Sequence, residues 1–185
     1  MSKTLFFVLW LFGLSCFTAS GATPQTTRKM LHGPTEIQGY PCAKDNAWFY
    51  ADGHLQRCSV SRGTGFGAIS IPRGSIVSLL PDGRPEYTML ARDTLLLGMK
   101  CLGGGLLGPA EGAMTGLYPS GKLRLCYLAE DQLVQGVPCG SGGFFHAVAG
   151  QDIAVELYES GKLKICRLTA DYQGRHRNDR FMQGP

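Results

Sequence analysis

The sequence predicts an all-β protein: an array of four β-hairpin repeats forming an extended or curled antiparallel sheet, disulfide-stapled. Three observations carry this prediction. One turn motif occurs four times, 26 glycines punctuate 185 residues, and only 17% of the residues are charged. Glycine well above its usual share and charge below the usual quarter fit short strands joined by turns, not long solvated helices. Hydrophobic content of 44% and a net charge of +4 exclude disorder over most of the length.

The four turns are Ala51-Asp52-Gly53, Pro81-Asp82-Gly83, Pro119-Ser120-Gly121 and Glu159-Ser160-Gly161. Proline presets the first central position of a type I turn, Asp or Ser suits the second, and glycine takes the left-handed position of a bulge. Apolar pairs precede each turn: Phe49-Tyr50, Leu79-Leu80, Leu117-Tyr118 and Leu157-Tyr158. Strand-like runs follow, clearest over 122–128 and 162–168, so each repeat is expected to contribute two antiparallel strands. Strict alternation over 122–128 places Lys122 and Arg124 on one face, continued by Cys126 and Leu128, with Leu123 and Leu125 opposite.

Spacing separates rigid from variable parts of the repeat. A second glycine follows each turn glycine, at Gly67, Gly98, Gly136 and Gly174, after 14, 15, 15 and 13 residues. The stretch that follows varies in length, with long insertions over 102–113 and 140–153. Insertions in repeat proteins map to loops on one face.

The N-terminus has Lys3, an apolar run over 5–14 and small residues to Ala22, the pattern of a secretory signal peptide over 1–22. The run is about half of the ~20 residues a spanning helix needs, so no transmembrane anchor is expected. Lipid attachment at Cys16 is disfavoured because Gly13 stands where a lipobox usually has leucine. The remaining division is a flexible segment over 23–35, the four-hairpin domain over 36–174 and a basic flexible tail over 175–185. Export to the periplasm or the extracellular space is the expected localisation.

Beyond the signal stand Cys42, Cys58, Cys101, Cys126, Cys139 and Cys166, an even set that reads as a disulfide framework in an exported chain. Three repeats contain Gly-x-x-Cys, and each has a second cysteine five residues beyond its turn glycine. The second repeat has Ser70 and Thr88 at these two positions, so both cysteines are missing together. The expected pairs are Cys42–Cys58, Cys101–Cys126 and Cys139–Cys166; pairing between neighbouring repeats is the alternative. The scattered histidines make no zinc-type cluster with them.

No catalytic, cofactor-binding or metal-binding residues are assigned. Gly63-Thr64-Gly65-Phe66-Gly67 and Gly103-Gly104-Gly105 lack the features of phosphate-binding loops and read as flexible turns. Asp93, Asp131 and Asp171 recur at one repeat position, where backbone capping outweighs a glycosidase carboxylate pair. His146, in the second insertion, reads as a partly buried or surface residue. The basic tail Arg175-His176-Arg177-Asn178-Asp179-Arg180 reads as a solvated terminus, and export disfavours nucleic acid as a partner. Leu102, Leu106, Leu107, Phe144 and Phe145, apolar residues on the glycine-rich insertions, are the candidate partner-binding residues.

Tyr118-Pro119-Ser120-Gly121-Lys122-Leu123 resembles the repeat core of bacterial MORN and MORN-variant proteins over about 47–171. The resemblance implies stacked β-hairpins in a twisted sheet that acts as a scaffold or partner-binding surface. A MORN unit is shorter and lacks paired cysteines, so no functional residues are carried over. The expectation is an exported, non-catalytic binding or scaffold module with no cofactor, whose partner is a protein or an envelope component. An inhibitor or immunity protein using loops 102–113 and 140–153 is one alternative; a small envelope-glycan hydrolase using the repeated aspartates is another. The oligomeric state is left open.

Overall fold

The computed structural model describes residues 26–104, 114–141 and 154–185, and they form strands and turns with no helix. Numbered along the chain, four long hairpins pair β4 (Asn46–Tyr50) with β5 (Leu55–Ser59), β8 (Ile76–Leu79) with β9 (Pro85–Met89), β12 (Met114–Leu117) with β13 (Leu123–Cys126), and β16 (Val155–Leu157) with β17 (Leu163–Arg167). With β1 (Thr26–Met30) and β18 (Arg180–Met182) at the edges, they make one ten-stranded antiparallel sheet in the order β1-β4-β5-β8-β9-β12-β13-β16-β17-β18. The edges therefore come from segments expected to be flexible and outside the repeats. β1 pairs with β4 and β18 with β17, although no apolar alternation marks either segment.

The tips follow from turn chemistry. Gly53 N–H donates to the Tyr50 carbonyl (3.0 Å) and Tyr50 N–H to the His54 carbonyl (2.9 Å), and the other three tips repeat both bonds. Gly53, Gly83, Gly121 and Gly161 have φ of +86°, +79°, +81° and +85°, which glycine adopts without steric cost. Beyond each tip the register shifts by one residue, between Trp48/Phe49, Ser78/Leu79, Gly116/Leu117 and Glu156/Leu157. The unmatched residues on the second strands are Gln56, Glu86, Arg124 and Lys164. This bulge overturns the strict alternation expected over 122–128. Leu123, Cys126 and Leu128 are all buried, while Arg124 between them is exposed.

Each repeat also holds a second hairpin, so it contributes four strands, not two. The short hairpins pair β2 (Thr35–Ile37) with β3 (Tyr40–Cys42), β6 (Thr64–Phe66) with β7 (Ile69–Ile71), β10 (Thr94–Leu96) with β11 (Met99–Cys101), and β14 (Gln132–Val134) with β15 (Val137–Cys139). The first turns at Gly39 and the other three at Gly67, Gly98 and Gly136 of the second set of glycines, which explains the constant spacing. Gln38-Gly39, Leu97-Gly98 and Gln135-Gly136 all have positive φ at both residues, the type I′ geometry that matches strand twist. Of the 63–67 glycines, Gly65 thus lies in β6, Gly67 in its turn and Gly63 just before the strand. Gly103 serves a close approach: its N–H donates to Asp93 Oδ1 (2.9 Å), and a side chain there would collide with the Arg92 backbone.

The short hairpins bury one face each, through Phe66, Ile69, Ile71, Leu96, Met99, Val134 and Val137. These residues share one cluster with Leu55, Leu79, Leu123, Leu157 and Leu163 of the long hairpins. The core is therefore a seam between the sheet and a layer of short hairpins. Cys42–Cys58, Cys101–Cys126 and Cys139–Cys166 cross it at Cα–Cα distances of 5.7, 5.8 and 5.7 Å. The disulfides tie the first, third and fourth short hairpins each to its own long one, the pairing the repeats imply.

The second repeat corrects the alignment by one residue. Thr94 pairs with Cys101 and Gln132 with Cys139, but Thr64 pairs with Ile71, so Ile71 and not Ser70 occupies the first cysteine position. Buried Thr88 holds the second position and donates its hydroxyl to the Ile76 carbonyl (2.8 Å). Backbone ties are missing there too. Ala43, Leu102 and Gly140 N–H groups reach the carbonyls of Ser59, Tyr127 and Arg167 (2.7–2.8 Å), but the corresponding residue is Pro72, which has no N–H. Ala91 N–H goes instead to the hydroxyl of buried Ser75 (3.1 Å).

This predicts that Ile71→Cys with Thr88→Cys forms a fourth disulfide. The gain is at most roughly 3 kcal/mol, less the burial lost with Ile71. Non-reducing mass spectrometry and thermal unfolding check it; a double variant retaining two free thiols fails the prediction.

Candidate functional site

On the short hairpins, alternation sends the middle residue of each strand away from the core. The outward residues of the first strands are Glu36, Gly65, Leu95 and Leu133. Leu95 is 71% exposed and Leu133 69%, and Leu97 on the β10–β11 turn is 51% exposed. Only the third and fourth repeats present leucine outward, and these same repeats carry the two insertions. Two hollows adjoin the leucines. One of about 200 Å³ lies among Leu97, Met99, Leu133 and Leu157; another of about 230 Å³ lies among Ile69, Leu97, Leu123 and Ser160. Leu97 and Gly161 line both.

Leu97 departs from the rule set by its own repeat. Gln38 stands at the same turn position in the first repeat, where its Oε1 accepts from Leu55 N–H (3.0 Å). Gln135 in the fourth accepts from Leu163 N–H (3.1 Å) and donates to the Gly161 carbonyl (2.8 Å). In the second repeat Gly67 offers no amide, and the facing residue, Pro85, has no N–H to satisfy. Leu97 forgoes these bonds at φ +49° and places an apolar side chain in solvent instead. Such a choice forgoes stability that the glutamine would supply.

The insertions leave the fold at anchored roots. Asp131 Oδ1 accepts from Ser141 N–H (2.7 Å) and the Ser141 hydroxyl (2.9 Å), and Asp171 Oδ1 accepts from Arg177 N–H (2.8 Å). With the Asp93–Gly103 bond, all three repeated aspartates cap the chain leaving a short turn segment. The Ser141 N–H, with its hydroxyl, holds the Asp131 carboxyl below the usual carboxylate range; the Arg177 N–H does the same for Asp171.

Of the apolar insertion residues, Leu102 is half-buried, and its N–H donates to the Tyr127 carbonyl (2.7 Å), so it anchors a root. Leu106, Leu107, Phe144, Phe145 and His146 lie outside the described residues. Leu95, Leu97 and Leu133 are the surface residues the sequence reading missed; setting Glu36 and Gly65 beside Leu95 and Leu133 would have found two of them. Among the described residues, no three or more His, Cys, Asp or Glu side chains group to hold a metal ion, and no helix is long and apolar enough to cross a membrane.

Leu97→Gln should stabilise the fold by about 1 kcal/mol by restoring the bonds Gln135 makes; chemical denaturation reads the change. A separate expectation concerns pH. Because the folded-state carboxyls of Asp131 and Asp171 are depressed, their stabilisation is complete above about pH 4 and lost as pH falls through the folded values. Urea midpoints measured from neutral to acidic pH should fall less steeply for Asp131→Asn than for the native chain.

No protein-family profile, characterised protein or solved structure matches the chain. Three disulfides suggest an oxidising, exported environment.

Proposed function

We propose that this chain is an exported, non-catalytic binding module whose protein partner docks on the short hairpins of the third and fourth repeats. The observation that supports it is the coincidence of outward Leu95, Leu97 and Leu133 with the two repeats that bear insertions. The adjoining hollows favour a partner with protruding side chains over a flat surface. The aspartate caps weigh against the hydrolase reading, since each repeated acid already has a structural task.

Magnitudes set a condition on this reading. Fully burying one leucine contributes about 1.5–3 kcal/mol, and these three are already partly covered. Together they supply roughly 3–6 kcal/mol, short of the ~8 kcal/mol of micromolar binding even before association entropy is counted. The leucines need further contacts from the same face.

A photo-crosslinking side chain at position 95 or 133 should capture a partner from the native envelope. The same group at 36 or 65, the corresponding positions of the other repeats, should not. Equal capture from all four positions would refute the reading.

A further inference from the structure

We infer that the cleft between the second and third short hairpins recognises a carboxylate of the protein partner that lies across the exposed leucines. The inference rests on the docking reading above and supplies the polar contact which that reading requires. The cleft has a volume of about 500 Å³ and is lined by Ser70, Pro72, Arg73, Arg92, Asp93 and Leu95. The backbone beside it lacks the ties of the other repeats: Pro72 has no N–H to bond to the long hairpin, and Ala91 N–H is turned to Ser75.

Charge selects the occupant. Arg73 and Arg92 are both exposed, and among the described residues neither side chain has a hydrogen bond or ion pair. By contrast, Arg62 pairs with Glu36 (3.3 Å) and Lys100 with Glu130 (3.1 Å) on the same layer. Asp93 in the cleft wall has Oδ1 engaged by Gly103 N–H. Two guanidinium groups against one carboxylate leave a single positive charge, which suits one carboxylate and not a polyanion. Arginine binds a carboxylate through a planar two-point contact. Leu95 forms part of the same wall and continues into the leucine surface, so the occupant carries its carboxylate beside apolar side chains. An Asp or Glu side chain and a chain-terminal carboxylate share this chemistry.

Amide and arginine Nε–H resonances of the disulfide-intact protein can be followed by NMR with three synthetic peptides. Acetyl-Leu-Glu-Leu-amide carries a side-chain carboxylate, acetyl-Leu-Gln-Leu a terminal one, and acetyl-Leu-Gln-Leu-amide none. The expected result is movement of the Arg73, Arg92 and Leu95 signals by the carboxylate peptides, with affinity about tenfold above the neutral peptide. Which carboxylate peptide acts identifies the source. Arg73→Gln with Arg92→Gln should remove that advantage while the neutral peptide still moves Leu95 and Leu133. Equal binding of all three peptides, no binding of any, or an undiminished advantage in the arginine variant overturns the carboxylate site. Leu95→Ser with Leu133→Ser leaving every peptide's affinity unchanged overturns the docking reading itself. Movement of these signals only with phosphatidylglycerol vesicles assigns the face to lipid and overturns both.

Discussion

The one-residue bulge behind each long-hairpin tip is the constraint on which the rest of the molecule depends. Without it, Leu123 would face away from Cys126 and Leu128, and the strand could not bury all three. The extra residue returns the strand to the core face just before the cysteine, and the same happens at Gln56, Glu86 and Lys164. The core-facing pattern then allows a cysteine to meet its partner on the overlying short hairpin. A turn chosen for glycine's left-handed backbone thus sets the side-chain faces, the seam and the cross-links together.

Adjacent repeats are joined by a second regular device. Tyr50, Tyr118 and Tyr158 donate their phenol hydroxyls to the carbonyls of Leu79 (2.7 Å), Leu157 (2.9 Å) and Gln183 (2.7 Å). The last acceptor lies beyond the final hairpin, next to β18, so the terminal segment satisfies the group that a fifth repeat would have received. β1 plays the corresponding role at the other edge: Arg28 and Arg57 both lie over the Trp48 ring, at 6.0 and 4.2 Å. Both edge strands therefore close off the repeat interactions, although neither carries the repeat's own sequence.

The long hairpins were legible because their information is local: a few turn residues specify the tip, and the cysteines count outward from it. The short hairpins were only half visible. Their glycines gave a constant spacing, but Gln-Gly and Leu-Gly are weaker turn signals than Asn-Gly, so the segments passed for connections. In the second repeat the turn shifts to Gly67-Ala68, which displaced the cysteine position from Ile71 to Ser70. β1 was illegible because all five of its residues are exposed, and only pairing with β4 makes it a strand. The surface leucines were hidden for a different reason. Leu95-Leu96-Leu97 is a continuous apolar run, and within that one repeat nothing tells Leu96, which is buried, from its exposed neighbours.

The departures from the repeat are not scattered along it. Pro72, Ile71, Thr88 and Leu80 remove in turn a backbone tie, a disulfide and a tyrosine bridge from the second repeat, and Leu97 removes an amide contact from the third. Each loss lowers stability locally, and buried Ser75 offsets only one of them, by accepting from Ala91 N–H. A sequence under selection for stability alone would converge on the consensus already present in the first and fourth repeats. Ile71 and Pro72 line the cleft and Leu97 belongs to the leucine surface, the two places on which the proposed docking rests. The clasped repeats on either side can hold that weaker middle in place, because the ten-stranded sheet passes beneath it without interruption.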